Sequence, residues 1–390
     1  MTFARSARIL HLFANYKWTG PADPAIRAAA RLRERGLDVV FAQAGFVHQG
    51  GEHWMAEQFE RWRLPVVTGL ELRKHFHVRS LLRDTATLRA MLVRDHIDLV
   101  HCHLPADHLL ATLACRRLAR PVVVVRSLYD PDPPARGLRE RFAFARTHGV
   151  IAPTRSVGAA LTARHGLDRA QVLVQEPVTE PRLQDGQDLR HEWGLLPHHR
   201  LVGITARVQP HRRFELLWAV AKLVTTAMPD ARFVLLGRGN EQDMASLVLE
   251  PVRRLGLYEH VLLPGYQKAE RYDCALRSLD AFLFLVPGSD GTCRAVRDAM
   301  AFAVTVVSTQ RGILKELFAV GSANAGGVAV AETAEALAEA LLQWLRDDDL
   351  RSRVAMAALR RTRDEMDPVL AAHRLEAFYA QLLSQREVGS

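Results

Sequence analysis

Two doubly wound α/β domains, each a mostly parallel sheet covered by helices, are the fold this sequence predicts. Three observations carry that expectation. The chain has 390 residues, more than one hydrophobic core usually organises. Short β-branched runs alternate with longer amphipathic segments, the pattern of βαβ units. The alternation stops once, in a polar, proline-bearing stretch, and then restarts.

RILHLF (8–13) reads as a strand and PAIRAAARLRERG (24–36) as a helix stopped by Gly36. LDVVFAQ (37–43), HIDLVHCH (96–103), RPVVVVRS (120–127) and GVIAPT (149–154) continue the first series as strands. The stretch QEPVTEPRLQDGQDLRHEWGLLPHHR (175–200) interrupts it. LVGITARV (201–208) then opens a second series, followed by the helix RFELLWAVAKLVTTAMP (213–229) and the strand ARFVLLGRG (231–239). HVLLPGY (260–266), AFLFLV (281–286) and VTVVSTQ (304–310) complete it, and DPVLAAHRLEAFYAQLLSQ (367–385) reads as one amphipathic tail helix. The expected division is a first domain over 1–180, a linker over 181–198, a second domain over 199–365 and a C-terminal helix over 366–390. The first domain is the surface on which that helix would pack back.

The composition, 48% hydrophobic and 24% charged, is that of a soluble globular protein. No apolar run approaches the roughly 20 residues that span a bilayer, and the N-terminus lacks a cleavage pattern of small residues. The four cysteines (Cys102, Cys115, Cys274, Cys293) show no CxxC pairing, which argues against a zinc ribbon or disulfide framework and fits a reducing compartment. These features predict a cytoplasmic protein. The formal charge of +9 points to an anionic partner without choosing among nucleotide, nucleic acid and lipid. Nucleic acid lacks the interleaved aromatics that would support it.

Candidate chemistry lies at the expected strand ends, where open parallel sheets bind ligands. Arg207, Arg212 and Arg213 follow the strand at 201–206. Arginines so placed can bracket a diphosphate, since the guanidinium donates paired, charge-assisted hydrogen bonds; a solvated basic loop is the other reading. In PGSDGTCRAVRDAM (287–300), a turn leads into a helix near Thr292. The N–H groups at such a start suit phosphate. Asp298 could accept from a ribose diol and Asp290 from sugar hydroxyls, or Asp290 could cap the helix with Asp298 on its surface.

DGTCRAVRDAMAFAVTVV (290–307) resembles the E-G-F-G-x-x-x-E-A-M-A-x-G-x-P-V-V motif of family-four glycosyltransferases of the GT-B fold, also called glycosyltransferase group 1. ITARVQPHRRFELL resembles that family's G-R-L-x-P-x-K-G-x-x-x-L-L, and LLGRGNEQD its glycine turn after the next strand. RGILKEL (311–317) resembles its G-G-x-x-E. The resemblance implies two Rossmann-like domains facing across a cleft. It also implies a retaining transfer of a sugar from a nucleotide-diphosphate donor to a glycan or lipid-linked acceptor, with bacterial cell-surface polysaccharide synthesis as the setting. It assigns Asp290, Arg207 and Arg212 to catalysis, and Gly20, Gly237, Gly291 and Asp298 to the donor, with Thr292, Cys293 and Arg294 placed beside the donor by their position in the stretch. Departures stand beside it. Both acids are aspartates, and "TCR" places Arg294 where it could read a negatively charged donor group or form a salt bridge. A non-catalytic relative, or a GT-B epimerase or phosphorylase, is the alternative.

On the first half, the loop NYKWTGPADP (15–24) offers Lys17 and Trp18 to an acceptor. HCHLPADHLLA (101–111) gathers His101, His103, Asp107 and His108 at a strand end; metal binding is one reading of such ligands, but no tetrahedral set is evident and the favoured reading is an acceptor-facing polar cluster with His103 or Asp107 toward the cleft. The resembled family works without metal, so neither metal nor cofactor is expected. The DPD at 130–132 is read as accidental. Where many members carry P-V-V-x-T-x-H, this chain has Arg126 and Ser127, so transfer would rest on the leaving phosphate as base. Basic and apolar residues interleave over 72–95; that face could lie on an anionic membrane or be a solvated helix.

Overall fold

The computed structural model describes residues 7–17, 19–45, 54–130, 132–179, 187–286, 293–319, 321–322 and 325–388. These form two compact units, one of residues up to Val178 with the helix Pro368–Val388, the other running from Thr179 to Asp367.

The first unit is built on seven strands: β1 (Arg8–Phe13), β2 (Asp38–Gln43), β3 (Val66–Val67), β4 (Ile97–Cys102), β5 (Val123–Ser127), β6 (Gly149–Ala152) and β7 (Val172–Val174). They lie in the order β3-β2-β1-β4-β5-β6-β7, and every pair is parallel. Such strands are covered on both faces, so they read as nearly unbroken apolar runs, and β1, β4 and β5 do. The strand order reverses between β1 and β4, and that switch point opens a crevice at the carboxyl ends.

The second unit repeats the plan. Its strands β8 (Arg200–Thr205), β9 (Ala231–Leu236), β10 (Val261–Leu262), β11 (Ala281–Phe284), β12 (Thr305–Thr309) and β13 (Gly327–Val330) are ordered β10-β9-β8-β11-β12-β13. The reversal falls between β8 and β11. Helix Phe214–Ala227 buries Phe214, Leu217, Trp218 and Val224 against this sheet.

Two boundaries differ from the sequence expectation. Residues 187–198 are no linker: Leu189 is buried in the second core, and Arg190 pairs with Asp280 and donates to the Ser278 carbonyl at 2.9 Å. Met366 also belongs to that core. The last helix belongs to the first unit, burying Leu375, Phe378, Tyr379 and Leu382 there. Gly149 makes room for it, since a Cβ there would meet Leu382 Cδ1 at 2.4 Å. Arg35 pairs with Glu376 on the same helix.

Candidate functional site

In the second unit, Arg207, Arg212, Gly237, Cys293, Arg294 and Asp298 lie just beyond the carboxyl ends of β8, β9 and β11. β8 ends at Thr205, and the chain passes Arg207, exposed at the strand end, into the turn Pro210–Arg212. Arg212 is half-buried and donates to the Val286 carbonyl at 3.4 Å, which sets it beside the chain leaving β11. Arg213 takes a left-handed conformation at φ 59° and pairs with Glu215 and Glu332. It is engaged with protein acids, unlike the exposed Arg207.

Gly237 explains how these loops come together. A Cβ at this position would lie 1.9 Å from the Ala206 carbonyl oxygen, so only glycine lets the β9 turn press on the β8 loop. The Val208 N–H donates to the Arg238 carbonyl at 2.9 Å and clamps the contact. The glycine therefore shapes the loop that carries Arg207.

Helix Arg294–Ala301 follows β11, with Cys293 buried at its start in a left-handed conformation, φ 49°. Asp298 accepts from Thr179 Oγ1 at 3.1 Å and pairs with Arg294 at 3.5 Å across one helical turn. Of the two readings of Arg294, the salt bridge is the one the structure displays. Tyr272 meets Thr205 Oγ1 at 3.2 Å; burial pushes its phenol pKa up, and the Asp298 charge adds to the rise. Asp290, Gly291, Thr292 and Trp18 lie outside the described residues.

In the first unit, the loop after β1 is fixed from below. Asn15 Oδ1 accepts from the backbone of Tyr16 at 2.9 Å and of Lys17 at 3.2 Å. Lys17 is exposed, its ammonium 5.6 Å from the Tyr16 ring centre. Gly20 lies in the turn ahead of helix Ala22–Glu34.

Asp107 and Arg126 correct the sequence reading, which aimed them at an acceptor. Both are buried, and they face each other at 3.6 Å. Asp107 accepts backbone N–H groups from Leu104 at 2.7 Å, Ala14 at 3.2 Å and His103 at 3.4 Å. It thereby ties the β1 loop to the β4 loop. Burial drives its carboxyl up to about 7 against the opposing pull of Arg126 and these N–H groups. Burial likewise lowers the Arg126 pKa.

His103 is fully buried too, in a set that includes a residue the sequence reading passed over. β1 and β4 pair so that His11 lies directly beside His101. His11 Nδ1 meets His103 Nε2 at 2.9 Å, and His103 Nδ1 meets the Tyr129 hydroxyl at 2.6 Å. His101 contacts Ser127 Oγ at 2.7 Å and the Tyr379 hydroxyl at 2.6 Å. Burial holds the His11 pKa down at about 3 and those of His101 and His103 well below the usual value, so the rings are neutral at pH 7. A pocket enclosing about 570 Å³, solvent at its mouth included, is bordered by His101, His103, Ser127, Tyr129, Gln175 and Glu176. His108 is separate, bonded to Thr147 Oγ1 at 2.7 Å. His11 carried one signal, a histidine inside an apolar strand; Tyr379 carried none.

Among the described residues no helix is long and apolar enough to cross a membrane. The family described as "Glycosyl transferases group 1" matches residues 187–361, and the one described as "Glycosyltransferase Family 4" matches residues 22–177. A lipopolysaccharide core biosynthesis mannosyltransferase of Rhizobium meliloti is 26% identical over 62% of this chain and 68% of its own length. A phosphatidyl-myo-inositol mannosyltransferase of Mycobacterium leprae is 26% identical over 38% of each chain. Among solved structures, Anabaena HepE in complex with UDP superposes with a TM-score of 0.78 at 17% identity, covering 96% of this chain and 100% of that one. A glycosyltransferase of Rickettsia africae superposes with a TM-score of 0.79 at 14% identity, covering 97% of this chain and 99% of that one.

Proposed function

This chain belongs to the group 1 glycosyltransferases of the GT-B fold, and from that premise we propose that it transfers a sugar, with retention, from a nucleoside diphosphate donor to a lipid-linked glycan acceptor in cell-surface glycoconjugate synthesis. The observation that carries this reading is the second-unit switch point. Arg207 and Arg212 stand at the end of β8, the Gly237 turn is pressed against that loop, and Asp298 lies on the helix after β11. The two arginines offer charge-assisted donors to a diphosphate, while Asp298 offers a carboxylate to a ribose diol. Asp290 is proposed to hold the transferred sugar.

The bond from the anomeric carbon to the β-phosphate oxygen breaks with its electron pair staying on the diphosphate. The acceptor hydroxyl oxygen bonds to the anomeric carbon on the same face and passes its proton to the departing phosphate. The chain's work is then to stabilise the leaving group and align the two sugars. No protein nucleophile or metal is required, and no cofactor beyond the donor.

Names of the relatives support the acceptor class, since both are mannosyltransferases acting on lipopolysaccharide or phosphatidylinositol by description. The first unit supports a membrane contact. Phe76, Val78 and Leu82 are exposed in the same segment as the basic Arg73, Lys74, Arg79 and Arg83. That mixture suits the interface of an anionic bilayer.

The test is release of nucleoside diphosphate from UDP-, GDP- and ADP-sugars with lipid-linked envelope glycans, reading the product's anomeric configuration by NMR. Arg212→Ala should lower turnover about 100- to 1,000-fold, as loss of one preorganised donor does. No release from any donor, or an inverted product, overturns the proposal.

A further inference from the structure

We propose that His11, His101 and His103 form a binding site for one divalent transition-metal ion, of which zinc suits three neutral imidazoles best. The three side chains each offer a ligand atom, and those atoms all lie within 4.8 Å of one another. The proposal departs from the expectation that this chain holds no metal, and its three residues belong to the first unit.

His11 and His101 sit side by side on β1 and β4, and His103 follows two residues on, on the same face of a parallel sheet. All three are buried where a core would ordinarily hold aliphatic side chains. A buried polar atom left without a partner is costly. His11 Nε2 is buried with no hydrogen-bond partner, a ring nitrogen that the surrounding protein does not satisfy.

His11 Nδ1 and His103 Nε2 are 2.9 Å apart. Two nitrogens bound tetrahedrally to one zinc, at about 2.0–2.1 Å each, lie roughly 3.3 Å apart. The strands therefore already hold this pair near its liganded separation, and a small opening admits the ion.

A metal-bound histidine steers its other ring nitrogen onto a protein group that fixes the tautomer. His103 Nδ1 meets the Tyr129 hydroxyl and His101 Nδ1 meets the Tyr379 hydroxyl, each at 2.6 Å. Both contacts direct the Nε2 atoms inward. Ser127 Oγ, 2.7 Å from His101 Nε2, marks where a fourth ligand or its water would sit. The pocket bordered by His101, His103, Ser127 and Tyr129 supplies the path in. Arg126, whose charge would repel a cation, is paired with Asp107 at 3.6 Å. A bound ion would join β1 to β4 and, through the two tyrosines, hold the loop after β5 and the last helix.

The experiment uses the untagged full chain, stripped with a chelator and titrated with Co²⁺ as the spectroscopic probe and Zn²⁺ by calorimetry. One equivalent should bind, with the visible absorption of tetrahedral cobalt and a rise in Tm on adding zinc. His11→Phe should abolish the cobalt bands or weaken zinc by at least 100-fold. Tyr379→Phe, which keeps the ring in the core, should weaken zinc by about 10- to 100-fold and guards against a His11 variant that does not fold. A wild-type chain with neither bands nor Tm shift overturns the proposal. So does zinc binding unchanged in both variants, which would place the metal on surface histidines and leave the trio as core hydrogen bonding.

Discussion

Replacing Asp107 by asparagine should destabilise the first unit more than replacing Arg126 by methionine, although the two side chains form one buried pair. Removing one partner from such a pair costs about 3–5 kcal/mol, because the other charge is left in the protein interior. The partners differ in how they escape that cost. Burial already pushes the Asp107 carboxyl up to about 7, so without Arg126 it sheds its charge by taking a proton. A guanidinium has no such route at ordinary pH. Asparagine adds a second loss. Asp107 Oδ2 accepts from Ala14 and His103, and Oδ1 from Leu104, so whichever way the amide turns, its NH₂ faces a backbone donor. A buried donor left unmet costs about 1–3 kcal/mol. We expect about 3–5 kcal/mol for Asp107→Asn and about 1–3 kcal/mol for Arg126→Met, with the double variant recovering at least 1 kcal/mol of the sum. Urea unfolding alone would mix the two units. Native-state hydrogen exchange of peptides spanning β1, β4 and β5 reads the first unit directly. A larger cost for Arg126→Met, or costs that add to within about 0.5 kcal/mol, would refute the reasoning.

Gly237→Ala should abolish detectable nucleoside diphosphate binding, because its Cβ would fall 1.9 Å from the Ala206 carbonyl and must push the β8 loop and Arg207 aside. Calorimetry with UDP and GDP checks it, and affinity within threefold of wild type would release Gly237 from that role. Changing Arg73, Lys74 and Arg79 to glutamine should cut partitioning onto phosphatidylglycerol vesicles by on the order of 100-fold at low salt, at roughly 1 kcal/mol per basic residue. Binding that ignores both the changes and the salt would leave that face a solvated helix.

What could be read beforehand divides by how far apart the partners lie in the chain. Most strands of both sheets showed as apolar runs because parallel strands are covered on each face, whereas the short β3, β7 and β13 went unread and β10 occupies only two residues of the run at 260–266. Arg207, Arg212 and Gly237 could be placed at strand ends because each lies in a contiguous strand–turn motif, although the contacts of Arg212 with Val286 and of Gly237 with Ala206 cross between loops. Segment 187–198 looked like a linker since its polar residues suit solvent, yet Arg190 finds Asp280 some 90 positions on. Asp107 was seen as polar and placed at a strand end, but its partners Ala14 and Arg126 come from two other strand ends, and only their convergence turns an acceptor contact into a buried strut.

The histidine trio carries the argument to its limit. His101 and His103 declare a shared face by their spacing of two, whereas His11 joins them only through the register of β1 on β4. Tyr379 arrives from 278 residues away on a helix whose own sequence says only that one side is apolar. A pattern of period two or 3.6 reports which way a side chain points relative to its own element. It carries no term for what a neighbouring strand places opposite. Sites assembled across strand register are therefore the ones a linear reading loses, and in this chain that includes the one cluster, among the described residues, where three neutral imidazoles meet.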